Sequence, residues 1–193
     1  MEKKPKVIII GTGASGSAAA WNLSKSSFNI ICFEQGPDLK EKSYSFDRLD
    51  WEILKKKLFN PNPNIRKMKS DYPINDKNSP ISIANFNGVG GSTILYSCHF
   101  PRFHPSDFKT KSLDNVGEDW PISYNDLKKY YDQNDKITNV CGLEGDPVYP
   151  NIKNLKPNIP LGKAGLKIAK GFNSLNWHWW PSYSAYTYNI KKK

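Results

Sequence analysis

Cysteine, methionine and histidine are scarce in this sequence of 193 residues, and it contains no long apolar run. Its three cysteines, Cys32, Cys98 and Cys141, show no paired spacing, so they indicate neither a disulfide framework nor a metal site. No segment approaches the roughly 18 apolar residues that a transmembrane helix needs. The first apolar run, four residues long, is too short for the core of a secretory signal. We therefore expect a cytoplasmic protein with no membrane span and no metal.

Acidic residues are also few, and the formal net charge is +10. From Asn151 onward there are eight lysines and no acids, a distribution that could attract phosphate groups. The chain nevertheless contains no motif of a nucleic-acid-binding module. We interpret the charge as a solvated surface and predict no nucleic-acid partner.

The positions of the glycines are the most informative feature of the sequence. The first cluster lies in the stretch KVIIIGTGASGSAAAWNL, residues 6–23. The β-branched run Val7–Ile10 predicts a short strand buried on both faces, and the alanine-rich residues that follow the glycines predict a helix. Gly11, Gly13 and Gly16 form G-x-G-x-x-G between the two. In such a turn the first glycine permits the tight bend, the second lets a pyrophosphate approach the backbone, and the third lets the helix pack on the strand.

A second strand and an acid follow at the spacing that a dinucleotide-binding unit requires. Phe28–Phe33 predicts the strand, and Glu34 comes 18 residues after Gly16, close to the spacing of about 20 expected for a carboxylate that accepts from a ribose hydroxyl. An acid at this place disfavours a 2′-phosphate. The pattern therefore predicts the ADP half of FAD or NAD as ligand, with its phosphates at the amino end of the helix.

A second glycine cluster lies in NGVGGSTILYSCHFPRFHPSDF, residues 87–108, and could expose N–H and hydroxyl groups to phosphate or to a flat ring system. Together with EDWPISYNDLKKYYD, residues 118–132, this stretch resembles the glucose-methanol-choline (GMC) oxidoreductases, which are FAD-dependent enzymes that oxidise alcohols and sugars. The similarity is to the branch of gluconate dehydrogenase flavoprotein subunits and pyranose oxidases. It implies FAD as the cofactor.

The motifs and the resemblance together predict a set of cofactor-binding residues. These are Gly11, Gly13, Ala14, Ser15, Gly16, Glu34, Gln35, Gly90, Gly91, Ser92 and Thr93. Some family members attach the flavin through a histidine just after the second glycine cluster, where this chain has Leu95 and Tyr96. The resemblance therefore implies noncovalent FAD. We interpret His99 as a strand or loop histidine and Cys98 as a packed small residue.

GMC oxidoreductases run to more than twice this length, and the resemblance places their catalytic histidine pair in the last third. None of His99, His104 and His178 matches that pair, so we predict no catalytic residue. The expected fold is α/β, a Rossmann-type three-layer FAD/NAD(P)-binding fold that is incomplete and has additional helical and loop segments. Residues 1–193 are expected to form one partial FAD-binding domain without the substrate domain and catalytic region.

Two explanations for the length stay open: a truncated product or fragment, and one half of a split enzyme that a second chain completes. The complete enzyme is expected to transfer a hydride from a CH–OH group of a small-molecule alcohol, sugar or sugar acid to flavin N5. This chain alone is expected to be inactive. The alternative is a noncatalytic nucleotide-binding or interaction protein derived from the same domain.

The remaining segments give simpler predictions. Helices are expected over Phe46–Leu58, after Ser123 and over Gly162–Leu175, with an irregular connection at Asn151–Pro160. Ser123 and Asp126 have the spacing of a capping box. The packed face of that helix is predicted to contain Leu127, Tyr130, Tyr131 and Ile137. The aromatic stretch WHWWPSYSAYTY, residues 177–188, is expected to leave apolar surface exposed.

Overall fold

The computed structural model describes residues 6–40 and 57–186. The chain divides into two compact units, Met1–Tyr96 and Ser97–Lys193. The helix predicted over Phe46–Leu58 lies outside the described residues except for its last two positions.

The first unit begins with a β–α–β arrangement. Strand β1 spans Lys6–Ile10, helix α1 spans Ala14–Leu23 and strand β2 spans Asn29–Phe33. The two strands pair in parallel, from Lys6 opposite Asn29 to Ile10 opposite Phe33. Because both strands end at the same edge, the residues that follow Ile10 and Phe33 emerge side by side. The α/β fold class predicted from the sequence is confirmed by this parallel β–α–β unit.

Burial of β1 on both faces was a wrong prediction. Val7 and Ile9 are half-buried, whereas Ile8 and Ile10 on the opposite face are 61% and 87% exposed. A continuous apolar run is typical of a strand in a sheet that is covered on both faces. Among the described residues the sheet has two strands, and nothing covers its second face.

The residues described after position 56 in the first unit include a short helix and a 3₁₀ turn. Helix α2, Pro63–Arg66, begins at Asn62, whose side chain accepts a hydrogen bond from the Asn64 N–H at 2.9 Å. The 3₁₀ turn spans Gly91–Leu95. Phe59 and Phe86 stack with ring centroids 6.1 Å apart and form the buried centre of this region.

The described residues of the second unit form a 3₁₀ turn and three helices: Pro105–Lys109, then α3 (Thr110–Asp114), α4 (Tyr124–Thr138) and α5 (Gly162–Ser174). The predicted helices after Ser123 and from Gly162 are confirmed. The segment 151–160 between them is irregular, as expected.

Helix α4 begins with the capping box that the sequence predicts. The Ser123 side chain accepts from the Asp126 N–H, and the Asp126 carboxylate accepts from the Ser123 N–H at 2.8 Å. The prediction of its packed face is wrong for two residues, because Tyr130 and Ile137 are 55% and 52% exposed. The inward face includes Tyr124 instead, since this face contacts the buried Arg102 described below.

The core of the second unit contains Val140, Ile152 and Tyr183. Isolated β-bridges join Ser184 to both His99 and Cys141, so the aromatic segment is held against the unit. The expected exposure of this segment therefore holds only for part of it. Trp177 and Tyr186 are 61% and 47% exposed, whereas Tyr183 is buried because its ring packs into the core.

Within the described ranges, no helix is long and apolar enough to cross a membrane. The three cysteines are free thiols. Across the same ranges, no group of three or more histidine, cysteine or acidic side chains could hold a metal ion.

Candidate functional site

The turn between β1 and α1 has the geometry that its glycines predict. Gly11 has φ of +87°, which a residue with a Cβ rarely adopts. A Cβ on Gly16 would lie 2.0 Å from the Gly11 carbonyl oxygen, so α1 can approach β1 only because this position is glycine. A Cβ on Gly13 would meet no protein atom within 4 Å. Space for a ligand therefore lies beside Gly13.

The amino end of α1 is open to an anion. Gly13 is its N-cap, so no side chain caps the helix, and its first turn carries no acidic residue. Ala14 and Ser15 are exposed at this end. The Ser17 hydroxyl donates to the Thr12 carbonyl at 2.8 Å and fixes the turn. Backbone N–H groups and the helix dipole favour a negatively charged group here, as in phosphate-binding turns.

Glu34 lies at the end of β2 and joins the two strand ends. One of its carboxylate oxygens accepts from the backbone N–H and the hydroxyl of Thr12, each at 2.8 Å, and the other accepts from the Gly36 N–H at 2.9 Å. The hydrogen bonds from Gly36 and Thr12 hold the pKa of Glu34 below its ordinary value of 4.5. The carboxylate is half-buried and ionised at neutral pH, and it retains lone pairs for a further donor such as a ribose hydroxyl.

The second glycine cluster packs directly on the first. Gly90 and Gly91 both have positive φ, +95° and +56°, and the Gly90 N–H donates to the Thr12 carbonyl at 3.1 Å. A Cβ on Gly91 would lie 2.9 Å from the Gly13 Cα. Two motifs separated by 74 residues, from Gly16 to Gly90, therefore meet at one place.

A third loop, Gly36–Pro37, completes this cluster. A Cβ on Gly36 would lie 2.2 Å from the Asn87 carbonyl carbon, and the Val89 N–H donates to the Pro37 carbonyl at 3.1 Å. We call the three loops, residues 11–16, 34–37 and 87–93, the glycine junction. It brings together in one unit all the residues that the sequence predicts for cofactor binding.

The predicted polar side chains take different roles in the junction. The Ser92 hydroxyl oxygen accepts from the Phe86 N–H at 3.2 Å, so its own proton is available to a ligand. The Thr93 hydroxyl donates to the Gly90 carbonyl at 2.6 Å and fixes the loop. The Gln35 amide donates to the Ser70 carbonyl at 3.0 Å.

A cavity of about 430 Å³ borders the junction beside the residues that follow Glu34. Its lining residues are Gln35, Gly36, Pro37, Met68, Lys69 and Ser70. The Ser70 hydroxyl oxygen is buried and has no hydrogen-bond partner among the described residues.

Sequence reasoning missed the ion pair that holds the second glycine cluster in place. Arg66 and Asp71 form a bidentate pair with side chains 0% and 4% exposed, and Arg66 also donates to the Asn60 and Asn85 carbonyls. The Asn87 amide donates to Asp71 at 3.3 Å. The sequence indicates this pair only through an arginine and an aspartate five residues apart, just after Asn62 and Pro63.

The three histidines all lie in the second unit and make structural contacts. His99 Nδ1 is 3.0 Å from the Ser182 hydroxyl, and the His104 ring packs edge-on against Tyr149. His178 Nε2 is 3.1 Å from a carboxylate oxygen of Asp146. His99 also forms a β-bridge, which agrees with its interpretation as a strand or loop histidine.

Comparisons with known proteins agree with this geometry. Residues 9–69 match the family described as an NAD(P)-binding Rossmann-like domain. A 2-methyl-1,2-propanediol dehydrogenase from Mycolicibacterium austroafricanum is 38% identical over 184 residues, which cover 93% of this chain and 33% of the relative.

More distant relatives belong to the same group. The fructose dehydrogenase large subunit of Gluconobacter japonicus is 26% identical, over 81% of this chain and 32% of its own length. The gluconate 2-dehydrogenase flavoprotein of Pantoea cypripedii is 25% identical, over 72% of this chain and 26% of its own length.

The homologues of this chain are thus GMC-type flavoprotein oxidoreductases, matched over their N-terminal part, and the resemblance seen in the sequence is confirmed. The chain spans about a quarter to a third of the length of the relatives it matches. Two loops of the glycine junction, residues 11–16 and 34–37, lie within the residues that match the Rossmann-like family. The junction fits a dinucleotide, because it has open space beside Gly13, an uncapped helix end and an ionised carboxylate.

Proposed function

We propose that this chain binds FAD noncovalently and supplies the FAD-binding N-terminal portion of a GMC-type oxidoreductase that acts on CH–OH groups of alcohols, sugars or sugar acids. The observation that carries the proposal is the contact of Gly91 with Gly13, which places the second glycine cluster on the phosphate turn. A nucleotide turn alone fits NAD and FAD equally well. The second cluster and the flavoprotein homologues favour FAD.

We assign each part of the junction a role toward the cofactor. The N–H groups at the start of α1, from Ala14 to Gly16, would hold the pyrophosphate, and Glu34 would accept from a ribose hydroxyl. The cavity beside Gln35 is available to the adenosine half. Gly90–Thr93 would lie along the remainder of the cofactor. When bound, the flavin supplies a two-electron acceptor for hydride at N5.

The substrate-binding part is proposed to come from sequence beyond these 193 residues, in the same polypeptide or in a second chain. The relatives named above are about three to four times as long as the segment that matches. Within the described residues the three histidines are engaged in structural contacts. The share of this chain in the reaction is to bind and orient the flavin.

The experiment is a titration of the purified chain with FAD, followed by quenching of flavin fluorescence, for wild type and Gly13→Val. Because a Cβ at Gly13 meets no protein atom, the valine should leave the fold intact and block only the approach of the pyrophosphate. We expect FAD binding to be lost. Gly171→Val in α5 is the matched control, since a Cβ there also meets nothing within 4 Å, and it should bind as wild type does. Wild-type affinity in Gly13→Val would refute the proposed site.

Acid precipitation of the loaded protein tests the mode of attachment. Leu95 stands where some members of the family that the sequence resembles attach the flavin through a histidine, so we expect all flavin to remain in the supernatant. Flavin that stays with the precipitated chain would contradict noncovalent binding.

A further inference from the structure

The second unit contains a separate cavity of about 820 Å³, lined only by lysine, asparagine and aspartate. One wall is α4 with its C-cap, and the other is the segment 151–156. The lining residues are Lys128, Asp132, Asp135, Lys136, Asn139, Asn151, Lys153, Asn154 and Lys156. We call this the lysine cavity. Its volume lies in the range of about 300–1,000 Å³ that small-molecule sites occupy.

The charges around the lysine cavity do not balance. Both aspartates are already paired: Asp135 with the buried Arg102 at 2.6 Å, and Asp132 with Arg102 and Lys128, each at 2.8 Å. Lys136, Lys153 and Lys156 have no ion pair among the described residues. Three ammonium groups with no carboxylate partner therefore surround one space.

The wall that carries two of these lysines is held in place by backbone contacts. The Lys156 N–H donates to the Val140 carbonyl at 2.8 Å, and the Gly142 N–H donates to the Lys156 carbonyl at 3.0 Å. Ile152 is 3% exposed and packs in the core with Val140. The residues that bracket Lys153 are thus fixed against the end of α4, so the cavity is part of the folded unit.

The lining chemistry restricts the ligand class. Lysines repel a cation, and the two carboxylates that could bind one are occupied. No aromatic or aliphatic side chain lines the space, so a nucleobase would find no stacking partner. Ammonium groups bind phosphate oxygens, and asparagine amides both donate to and accept from hydroxyl groups.

We propose that the lysine cavity binds a small polyanion carrying two or more phosphate groups. The chemistry is shared by an inorganic polyphosphate and by a doubly phosphorylated sugar. The site is independent of the glycine junction, because every lining residue belongs to the second unit.

The test is calorimetric titration of the full 193-residue chain with tripolyphosphate and, separately, with a hexose bisphosphate; the unphosphorylated hexose serves as the blank. Stronger binding of the hexose bisphosphate identifies the sugar as part of the ligand, and stronger binding of tripolyphosphate identifies phosphate alone. We expect the double variant Lys153→Gln/Lys156→Gln to weaken binding about tenfold or more, since two charge-assisted contacts are lost.

Two controls separate this site from general attraction to a basic protein. Lys167→Gln/Lys170→Gln removes the same charge from exposed positions of α5 and should bind within about twofold of wild type. Gly13→Val should bind tripolyphosphate as wild type does, because Gly13 lies in the first unit and does not line the lysine cavity. A loss of binding in this variant would place the phosphate at the glycine junction instead. Absence of binding to wild type, equal weakening by the two double variants, or loss in Gly13→Val would overturn the proposal.

A second measurement needs no variant. Within the second unit, amide chemical-shift changes of the wild-type chain on addition of tripolyphosphate should be confined to residues 128–139 and 151–156. Changes spread over the other lysine-bearing segments would overturn the proposal.

Discussion

Glu34 shows how one side chain can serve both the fold and a ligand. Its carboxylate ties the end of β2 to Thr12 and to Gly36, and the same hydrogen bonds hold its pKa below 4.5. A group whose pKa is lower in the folded chain stabilises the fold above its unfolded pKa, and that stabilisation is lost as the pH falls through the folded pKa. The contribution of Glu34 is therefore complete at neutral pH and declines below about 4.5.

We predict that Glu34→Gln is less stable than wild type at pH 7 and that the difference shrinks as the pH falls below 4.5, the ordinary value for this carboxyl. Urea unfolding at a series of pH values measures this. Glu118→Gln, at an exposed position of the other unit, is the control and should follow wild type throughout. A stability difference that is independent of pH would show that the charge of Glu34 is not what holds the strand ends together.

At the scale of elements, the contact of α1 with β1 depends on a missing Cβ. Alanine favours a helix over glycine by about 1 kcal/mol, so propensity alone predicts that Gly16→Ala stabilises the chain. The new Cβ would lie 2.0 Å from the Gly11 carbonyl oxygen, and that backbone atom cannot rotate away as a side chain could. Overpacking of this kind costs about 1–3 kcal/mol or more, so we expect a net loss of stability in urea unfolding. A variant as stable as wild type would mean that α1 shifts freely on the sheet.

Helix α4 is positioned by a buried guanidinium. Arg102, whose side chain is 3% exposed, donates to Asp135, Asp132 and the Tyr124 hydroxyl. Burial lowers the pKa of Arg102, but the hydrogen bonds to Asp135 and Tyr124 outweigh it and leave that pKa above its ordinary value. Burial raises the pKa of Asp135 more than Arg102 lowers it. Burial thus disfavours the charge on each of the two groups, and the partner's opposite charge offsets that cost.

We predict that Arg102→Met destabilises the chain by about 3–5 kcal/mol, because it leaves the buried Asp135 carboxylate without a cation. Arg102→Met/Asp135→Leu should recover part of that loss, since an apolar pair of similar volume can replace a buried ion pair. Thermal unfolding of wild type and both variants measures the effect. A double variant less stable than Arg102→Met alone would show that Asp135 acts through other contacts.

Short sequence patterns predicted the elements that are determined by neighbouring residues in the chain. The turn at Gly11–Gly16, the capping box at Ser123 and the acid at Glu34 each need only a short window of sequence. The contacts that join distant segments could not be read in this way. The packing of Gly91 on Gly13 and the pairing of Arg66 with Asp71 depend on how the loops meet, and the inward face of α4 is set by an arginine more than twenty residues earlier. The lysine cavity is visible in the sequence only as an excess of basic residues.

At the scale of the whole molecule, the two units contain different candidate sites. The first unit holds the glycine junction, whereas the second holds all three histidines and the lysine cavity. The exposed face of the sheet, with Ile10 and Phe33 at 87% and 58% exposure, has the composition of a surface that another element normally covers. This agrees with a match to about a quarter to a third of each named relative's length.

The last prediction concerns turnover. We expect the 193-residue chain to bind FAD but not to reduce an artificial electron acceptor with any alcohol or sugar. A positioned general base contributes typically about 10²–10⁴-fold, and correct placement of the substrate contributes at least as much again. The histidines that could act as a base are held by Ser182, Tyr149 and Asp146. The measurement is acceptor reduction by the FAD-loaded chain with and without a polyol. Substrate-dependent reduction that disappears in His99→Ala would place the catalytic base within these residues and contradict the role proposed for this chain.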